Sequence, residues 1–265
     1  MSTFVMSDVH GQYETFMQML DRINFTSRDK LYILGDLIDR GPDGIKLIKT
    51  VMKMNNVKLF LGNHELLMME GIRNADECEN EGRKDTDDLD LWLDECNGGR
   101  QTFEDYKKCS PKKKAEINIF LDNAIVAKKL TVNGKNYYLS HAYVVSKKFE
   151  EEVKYNELLH KDVYSAVWQN IYETSFVEKM KGKVFPNKKY TYVSGHIFTQ
   201  RLENVDEEGR GLVLNDDNFL NEYHIINLDC GLALRNKTSQ LACMRLEDEK
   251  VYYERPDEED DNNYY

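Results

Sequence analysis

The sequence predicts an α/β protein in which two mixed β-sheets pack face to face as a sandwich and helices cover the outside. Two patterns lead to this prediction. Over the first 65 residues, apolar strand-like stretches alternate with helical stretches, which favours parallel strands joined by right-handed crossovers. Later in the chain, short turns join strand-like stretches directly, which favours antiparallel pairing and a second sheet.

Five short apolar stretches are predicted to be strands, and each one stops at a polar residue. They are Phe4–Ser7, Leu31–Leu34, Val57–Leu61, Tyr137–Ser140 and Tyr192–Gly195. Between the first three, apolar residues at helical spacing predict a helix over Gln12–Ile23 and another from Pro42 to Val51. Proline suits the start of the second helix because its missing N–H has no partner there in any case.

The middle and end of the chain complete the prediction. Leu66–Asn123 is strongly helical and polar, which indicates a helical cap inserted between strands. Asn133-Gly134 predicts a hairpin between Ala124–Thr131 and Lys135–Ser140. The remaining predicted elements are a helical region over Tyr155–Met180 and strands at Tyr223–Leu228, Gln240–Leu246 and Lys250–Tyr253, the last two forming a hairpin.

The expected organisation is one catalytic domain over residues 1–254, which contains the cap at 66–123, followed by an acidic tail at 255–265 that we expect to be disordered. The net charge of −11 argues against binding nucleic acid. No apolar run is long enough to span a membrane, and no secretory signal is visible. Five cysteines without a CxxC pair favour a reducing compartment, so a cytoplasmic location is expected.

Residues that can bind a metal follow the five strands. They are Asp8, His10, Asp36, Asn63, His141 and His196. Because strand ends meet at one edge of an α/β sheet, these side chains are expected to converge. Oxygen and nitrogen donors without a thiolate favour manganese, iron or zinc over copper. The alternative for Asp8 and Asp36 is that each caps the helix that follows it.

Three motifs occur in order before the two strand-end histidines: DxHG at 8–11, GDxxDRG at 35–41 and GNHE at 62–65. This set resembles the calcineurin-like metallophosphoesterase superfamily, specifically its phosphoprotein phosphatase branch. Within that branch it is similar to bacterial and lambda-phage serine/threonine phosphatases and to symmetrical diadenosine tetraphosphatases. Trp92-Leu93, Asn97–Gly99 and Thr102 resemble the cap pattern of these enzymes, and Asn227–Gly231 resembles their closing strands.

The resemblance implies the αββα metallophosphoesterase fold and a centre of two divalent metal ions, with manganese expected and iron or zinc as alternatives. Asp36 would bridge the ions. The first ion would also take Asp8 and His10, and the second Asn63, His141 and His196. Two such ions would lower the pKa of a bridging water and clamp the phosphoryl oxygens. A metal-bridging hydroxide would then attack phosphorus in line.

The resemblance also implies roles for the residues between the ligands. His64 would be the general acid, and Asp39 would orient it and raise its pKa. Arg40 and Asn63 would bind the substrate phosphate, since a guanidinium can contact two phosphate oxygens. Glu65 is expected to hold the local backbone rather than to take part in the chemistry.

The chain departs from the family pattern in two ways. His141-Ala142 is followed by Tyr143, which either packs or contacts substrate, and His196 is followed by isoleucine. The family's second phosphate-binding arginine is absent, because Asn170 stands two residues after Trp168. Arg201 or a lysine would have to replace it. His160 and His224 lie outside the motifs, and we expect them to be structural or surface residues.

The resulting prediction is a metal-dependent serine/threonine protein phosphatase that acts on a phosphoprotein or phosphopeptide. The alternative is a symmetrical bis(5'-nucleosyl)-tetraphosphatase, which would use the same dimetal centre on a dinucleoside polyphosphate. A third alternative is a non-catalytic scaffold that binds phosphate. Neither a nucleic-acid partner nor a membrane partner is expected, and the sequence assigns no oligomeric state.

Overall fold

The computed structural model describes residues 1–81, 86–143, 152–173, 187–220 and 222–256. Within these residues the chain forms two mixed β-sheets and seven α-helices, so the predicted α/β class is confirmed. One part of the predicted tail, residues 257–265, lies outside the described residues. No helix of the described chain is both long enough and apolar enough to cross a membrane.

The first sheet has the strand order β11-β10-β1-β2-β3. Its strands are β1 (Thr3–Met6), β2 (Lys30–Ile33), β3 (Val57–Leu59), β10 (Leu241–Arg245) and β11 (Lys250–Glu254). β1, β2 and β3 are parallel to one another, whereas β10 pairs antiparallel with both β1 and β11. The predicted parallel start and the closing hairpin are therefore both present.

The second sheet has the order β6-β4-β5-β7-β9-β8. Its strands are β4 (Ile125–Val132), β5 (Lys135–Ser140), β6 (Val153–Lys154), β7 (Thr191–Ser194), β8 (Leu214–Phe219) and β9 (Tyr223–Asn227). β5, β7 and β9 are parallel, and β4, β6 and β8 pair antiparallel with their neighbours. The hairpin predicted at Asn133-Gly134 joins β4 to β5.

Seven helices surround the sheets. They are α1 (Tyr13–Arg22), α2 (Gly44–Val51), α3 (Asn63–Glu81), α4 (Asp87–Leu93), α5 (Arg100–Lys107), α6 (Pro111–Asp122) and α7 (His160–Trp168). The apolar positions predicted for α1 are buried, among them Phe16 and Met19. The four helices α3 to α6 occupy most of the segment predicted to be a helical cap.

The strand sequences divide their side chains between two cores because successive residues of a strand point to opposite faces. In β2, Leu31 and Ile33 belong to the core under the helices, while Tyr32 belongs to the core between the sheets. Phe60 also lies between the sheets, and a parallel bridge from Phe60 to Ile125 joins the two sheets. The face-to-face sandwich follows from this alternation.

Several details differ from the sequence prediction. Helix α3 begins at Asn63, three residues before the predicted cap, so Asn63 and His64 lie on its first turn. Helix α7 ends at Trp168, because Gln169 has an extended backbone, and residues 174–180 of the predicted helical region lie outside the described residues. Strand β8 was not predicted, because its sequence LNDDNF is mostly polar and exposed at a sheet edge.

We predict that Phe60→Ala destabilises the protein by about 3–5 kcal/mol, because it leaves a cavity between the sheets. Phe60 is fully buried there. Urea unfolding followed by circular dichroism measures the change. Ile119→Ala is the control, since Ile119 is 63% exposed on α6 and should change the free energy of unfolding by no more than about 0.5 kcal/mol. Equal effects of the two variants would contradict the inter-sheet core.

Candidate metal centre

The buried carboxylate of Asp36 lies at the centre of the predicted site. Three histidine rings approach it: Nε2 of His141 is 3.5 Å from its Oδ1, and Nε2 of His10 is 3.6 Å from its Oδ2. The third, Nε2 of His64, is 4.0 Å from Oδ2. Asp36 follows β2, His141 follows β5 and His10 follows β1, while His64 lies on the first turn of α3. The strand ends therefore converge as predicted.

Asn63 lies on the β5 and β7 side of the same carboxylate. Its Oδ1 is 2.9 Å from Nε2 of His141 and 3.0 Å from Nδ1 of His196. One oxygen therefore faces two ring nitrogens, and both rings come from the second sheet. The structure brings together the four residues predicted to hold the second ion.

Two groups of donor atoms share Asp36. His10, Asp36 and His64 form one group, and Asp36, His141 and His196 form the other; within each, the potential ligand atoms lie within 4.8 Å of one another. Each group could hold one metal ion. A carboxylate has two oxygens, so a single Asp36 can serve both groups.

The tautomers of two histidines fit metal binding. Nδ1 of His10 donates a hydrogen bond to the carbonyl oxygen of Ile38 at 3.1 Å, and Nδ1 of His141 donates to that of Leu34 at 2.7 Å. A backbone carbonyl only accepts, so the proton is on Nδ1 and the lone pair of each ring is on Nε2, facing Asp36. This arrangement is the usual one for histidines that bind a metal.

Asp8 lies beside these groups rather than within them. Its Oδ1 is 3.9 Å from Nε2 of His10, and its Oδ2 accepts hydrogen bonds from the hydroxyl of Ser7 and from the backbone N–H of His196, the latter at 3.1 Å. The tight group that contains His10 includes His64 instead of Asp8. A ligand role for Asp8 therefore stays a prediction.

The backbone is left-handed at many of the site residues. The φ angles are 54° at Asp8, 45° at His10, 50° at Asp36, 68° at Asp39, 63° at Arg40 and 72° at His196. Residues other than glycine seldom adopt this region, and each such residue costs free energy.

The helices α1 and α2 are preceded by Gln12 and Asp43, so Asp8 and Asp36 do not cap them.

Asp39, His64 and Trp92 form a buried hydrogen-bonded unit. Oδ2 of Asp39 is 2.9 Å from Nδ1 of His64 and accepts a hydrogen bond from Nε1 of Trp92 at 2.8 Å. Among the described residues, no group hydrogen-bonds to Nε2 of His64, although this atom is buried. The ring is thus held at one nitrogen while the other faces the donor groups. In the sequence, Trp92 belongs to the cap pattern, and nothing there signals its contact with Asp39.

Arg40 is positioned through its backbone. Its N–H donates to the carbonyl of Gly98 at 3.1 Å, and its carbonyl accepts from Nη1 of Arg235 at 3.0 Å. Burial and then the charge of Arg40 lower the pKa of His10, and burial raises the pKa of Asp229 to about 7 although the charge of Arg40 opposes that rise. Arg40 is therefore close to the first donor group. The contact from Arg235 had no sequence signal, because Arg235 follows the last motif by several residues.

Burial and charge set the protonation states of the site. Burial alone would raise the pKa of Asp36, but the electrostatic interaction with the imidazole rings of His141, His64 and His10 holds this pKa below its usual value. Burial lowers the pKa of His10 and of His141, and together with His141 it lowers that of His196 to about 3. Neutral rings around an ionised carboxylate are the protonation states that bind a divalent metal.

Burial alone would lower the pKa of His64, but the interactions with Asp36 and Asp39 outweigh this effect and raise the pKa. His64 therefore differs from His10, His141 and His196, whose pKa values are lowered. A ring that keeps its proton more readily than its neighbours is suited to donating one.

Glu65 holds the backbone around Asp36. Its carboxylate accepts hydrogen bonds from the N–H groups of Asp36, Leu37 and Gly62, at 2.8, 2.8 and 2.9 Å. Gly62 packs so closely that a Cβ there would lie 2.1 Å from Oδ1 of Asp36. Burial and then the charge of Asp36 raise the pKa of Glu65 to about 7. The contacts agree with the expected backbone role.

Several residues outside the ligand set have structural contacts. The hydroxyl of Tyr143 donates to the carbonyl of Ile226 at 3.0 Å, which favours packing over substrate contact. His224 lies between Thr191 and Asn215. Asn170 accepts from the N–H of Tyr172, and Arg201 is exposed on the short 3-10 helix Thr199–Leu202. Among the described residues, neither side chain is hydrogen-bonded to the donor groups. Nε2 of His160 is hydrogen-bonded to the carboxylate of Glu70.

The sequence model of calcineurin-like phosphoesterases matches residues 1–229 of the 265-residue chain. The chain therefore belongs to the calcineurin-like phosphoesterase family, and the superfamily predicted from the motifs is confirmed. Members of this family are hydrolases of phosphate esters that use divalent metal ions as cofactors.

Similar curated proteins share only part of the chain. The symmetrical bis(5'-nucleosyl)-tetraphosphatase of Wigglesworthia glossinidia brevipalpis is 42% identical over 71 residues, which is 26% of each chain. The enzyme of the same name from Delftia acidovorans is 36% identical over 100 residues, or 36% of each chain. The chain thus matches between a quarter and about a third of the length of these two relatives.

Similar solved structures cover nearly all of the chain. The crystal structure of a provisionally assigned diadenosine tetraphosphatase has a TM-score of 0.56 at 12% identity and covers 96% of this chain and 94% of that chain. A protein serine/threonine phosphatase from Saccharomyces cerevisiae with similarity to human phosphatase PP5 also has a TM-score of 0.56, at 12% identity, and covers 97% and 80%. At such identities the likeness establishes the fold alone.

We predict that Glu65→Gln lowers the free energy of unfolding by about 1–3 kcal/mol, because the amide cannot accept all three backbone N–H groups. Urea unfolding measures the loss. Glu14→Gln is the matched control, since the Glu14 side chain is 70% exposed and its ion pair with Lys46 is worth little. A Glu65→Gln protein as stable as the control would show that these hydrogen bonds do not support the loop that carries Asp36.

Proposed function

We propose that this chain is a hydrolase with two metal ions that cleaves dinucleoside tetraphosphates symmetrically. The observation that carries the metal-dependent part is the position of Asp36, whose two oxygens each face a separate group of imidazole nitrogens. A pair of divalent ions, when bound there, would supply a nucleophile from water at neutral pH and neutralise the phosphate oxygens. Manganese is the expected metal, and iron or zinc fit the same donors.

In this proposal the donors are those predicted from the sequence. Asp36 is shared, His10 and Asp8 complete one side, and Asn63, His141 and His196 complete the other. Asn63 also contacts the substrate phosphate. The neutral state of the histidines, which burial favours, keeps their lone pairs available.

His64 is the proposed general acid. Asp39 holds its Nδ1 at 2.9 Å and favours the protonated ring, so Nε2 carries a proton towards the donor groups. That proton would go to the oxygen of the leaving phosphate, which departs poorly as an anion with full charge. Arg40, whose backbone is held by hydrogen bonds with Gly98 and Arg235, would bind the phosphate oxygens through its guanidinium.

The relatives support a dinucleoside tetraphosphate as the substrate. Both curated relatives described above are named as symmetrical bis(5'-nucleosyl)-tetraphosphatases. The serine/threonine protein phosphatase predicted from the sequence has a fold-level likeness only. The order of the two predicted functions is therefore reversed, and the protein phosphatase becomes the second candidate.

A binding scaffold without catalysis has less support. Phosphate binding needs cations and hydrogen-bond donors, but it does not need a histidine held by a buried carboxylate. Asp39 is fully buried and shared between His64 and Trp92, an arrangement that costs desolvation free energy. Catalysis accounts for the hydrogen-bonded unit of Asp39, His64 and Trp92, whereas phosphate binding alone does not.

We predict that the purified protein, supplied with manganese, converts diadenosine tetraphosphate to ADP alone. Symmetrical cleavage breaks the central bridge and yields two identical products, whereas asymmetrical cleavage yields AMP and ATP. Chromatography of the products distinguishes the two reactions. A phosphoserine peptide is tested in parallel. Turnover of the peptide without turnover of the dinucleotide would overturn the substrate assignment in favour of the protein phosphatase.

We also predict that His64→Asn lowers kcat by about two orders of magnitude, because the leaving oxygen loses its proton donor. Steady-state kinetics on the substrate identified above measure this loss. His224→Asn is the matched control, as this histidine lies outside the motifs and its ring contacts only Thr191 and Asn215 in the described contacts. An undiminished kcat in His64→Asn would remove His64 from the mechanism.

A further inference from the structure

One segment of the cap contacts the residues that follow β2. It covers residues 92–102, from the end of α4 through a turn to the start of α5, and we call it the contact segment. Nε1 of Trp92 donates a hydrogen bond to Oδ2 of Asp39 at 2.8 Å, and the hydroxyl of Thr102 accepts one from the backbone N–H of Asp39 at 3.3 Å. The cap therefore holds both the side chain and the backbone of Asp39.

The indole of Trp92 is fixed in place. It is fully buried, and its ring meets that of Phe103 edge to face, with centroids 5.7 Å apart and planes at 71°. The backbone packs against it so closely that a Cβ at Gly99 would lie 2.3 Å from Nε1. The indole N–H is consequently held in one direction, towards Asp39.

Asp39 receives both of its side-chain hydrogen bonds on one oxygen. Oδ2 accepts from Nε1 of Trp92 and lies 2.9 Å from Nδ1 of His64. Oδ1 is buried and has no hydrogen-bond partner among the described residues. A buried carboxylate depends on its few donors, because burial removes the water that would replace them. The N–H of Trp92 therefore helps to keep Oδ2 turned towards His64.

We propose that Trp92 is a positioning residue for proton transfer, because its N–H fixes the Asp39 oxygen that orients His64. This inference rests on the proposed role of His64 as the general acid. The carbonyl of Gly98, in the same contact segment, accepts the backbone N–H of Arg40 at 3.1 Å. One part of the cap thus supports both the proton donor and the residue proposed to bind phosphate.

The simplest alternative is that Trp92 only fills the core of the cap. Phenylalanine would fill that core without an N–H that needs a buried acceptor. The acceptor of Trp92 lies 53 residues away in the chain and is itself held by His64. A contact of this kind links the cap to the candidate site, which packing alone does not require.

Steady-state kinetics on whichever of the two proposed substrates is cleaved test the positioning role. Trp92→Phe keeps an aromatic ring and removes the N–H. It should lower kcat about ten-fold and leave KM within about two-fold, because a small misplacement of a catalytic group is costly while the substrate contacts remain. In the His64→Asn background, Trp92→Phe should have no further effect, since the group that it positions is absent.

Tyr106→Phe is the matched control. It also removes a donor from a buried aromatic ring of the cap, but the hydroxyl of Tyr106 donates to Asn118, at 3.0 Å, rather than to Asp39. Its kcat should equal that of the parent in both backgrounds. Equal losses of kcat for Trp92→Phe with and without His64 would indicate a purely structural role and overturn the inference. An unchanged kcat in Trp92→Phe alone would overturn it as well.

An NMR measurement tests the same contact without turnover and without changing Trp92. The chain has two tryptophans, so the zinc-loaded protein should show two indole N–H signals, which Trp168→Phe assigns. His64→Asn should move the Trp92 signal more than the Trp168 signal, because Trp92 and His64 share one oxygen of Asp39. A Trp92 signal that stays in place would contradict the inference.

The results also separate this inference from the proposed function. An undiminished kcat in His64→Asn removes the general acid and, with it, the role of Trp92. A reduced kcat in His64→Asn beside an unchanged kcat in Trp92→Phe removes only the positioning role. If neither substrate is cleaved, the proposed function fails, and the NMR signals alone decide whether Trp92 is coupled to His64.

Discussion

A buried carboxylate among imidazole rings is the interaction on which the site depends. Asp36 is almost fully buried, and burial of a charge is costly unless other charges or hydrogen bonds compensate. The neighbouring imidazole rings of His141, His64 and His10 favour the ionised form of Asp36. In the proposed holoenzyme, two cations would take over that compensation. The same carboxylate also accepts the backbone N–H of His64, which fixes the start of helix α3.

Bringing these donors together costs conformational free energy. Six predicted site residues have a left-handed backbone, a conformation that costs about 1–3 kcal/mol for a non-glycine residue. The hydrogen bonds of Glu65 to three backbone N–H groups hold one of these turns, and the pair of contacts from Gly98 and Arg235 holds another. The rigid core of the two sheets supports these turns and so stabilises the strained backbone.

Much of this arrangement could be predicted because it has a local signature. His141 directly follows an apolar strand-like run, and Asp36 and Asn63 each follow one after a single glycine; topology alone then brings them to one sheet edge. Contacts between distant segments had no such signature. Trp92, which lies in the cap, donates a hydrogen bond to Asp39, and Arg235 donates one to the carbonyl of Arg40. The polar edge strand β8 was missed for a similar reason, since pairing with β9 rather than its own sequence makes it a strand. The motifs could not decide between the two predicted substrates, because they describe the phosphate chemistry and not what carries the phosphate.

The central claim is that Asp36 is shared between two bound cations. The most direct test is the metal content per chain, measured by mass spectrometry of the protein and of Asp36→Asn after equilibration with manganese and removal of free metal. The account predicts two ions per chain for the wild type and loss of at least one in Asp36→Asn, because an amide cannot bridge two cations as a carboxylate does. A wild type that holds one ion or none, or an Asp36→Asn protein that keeps both, would contradict it.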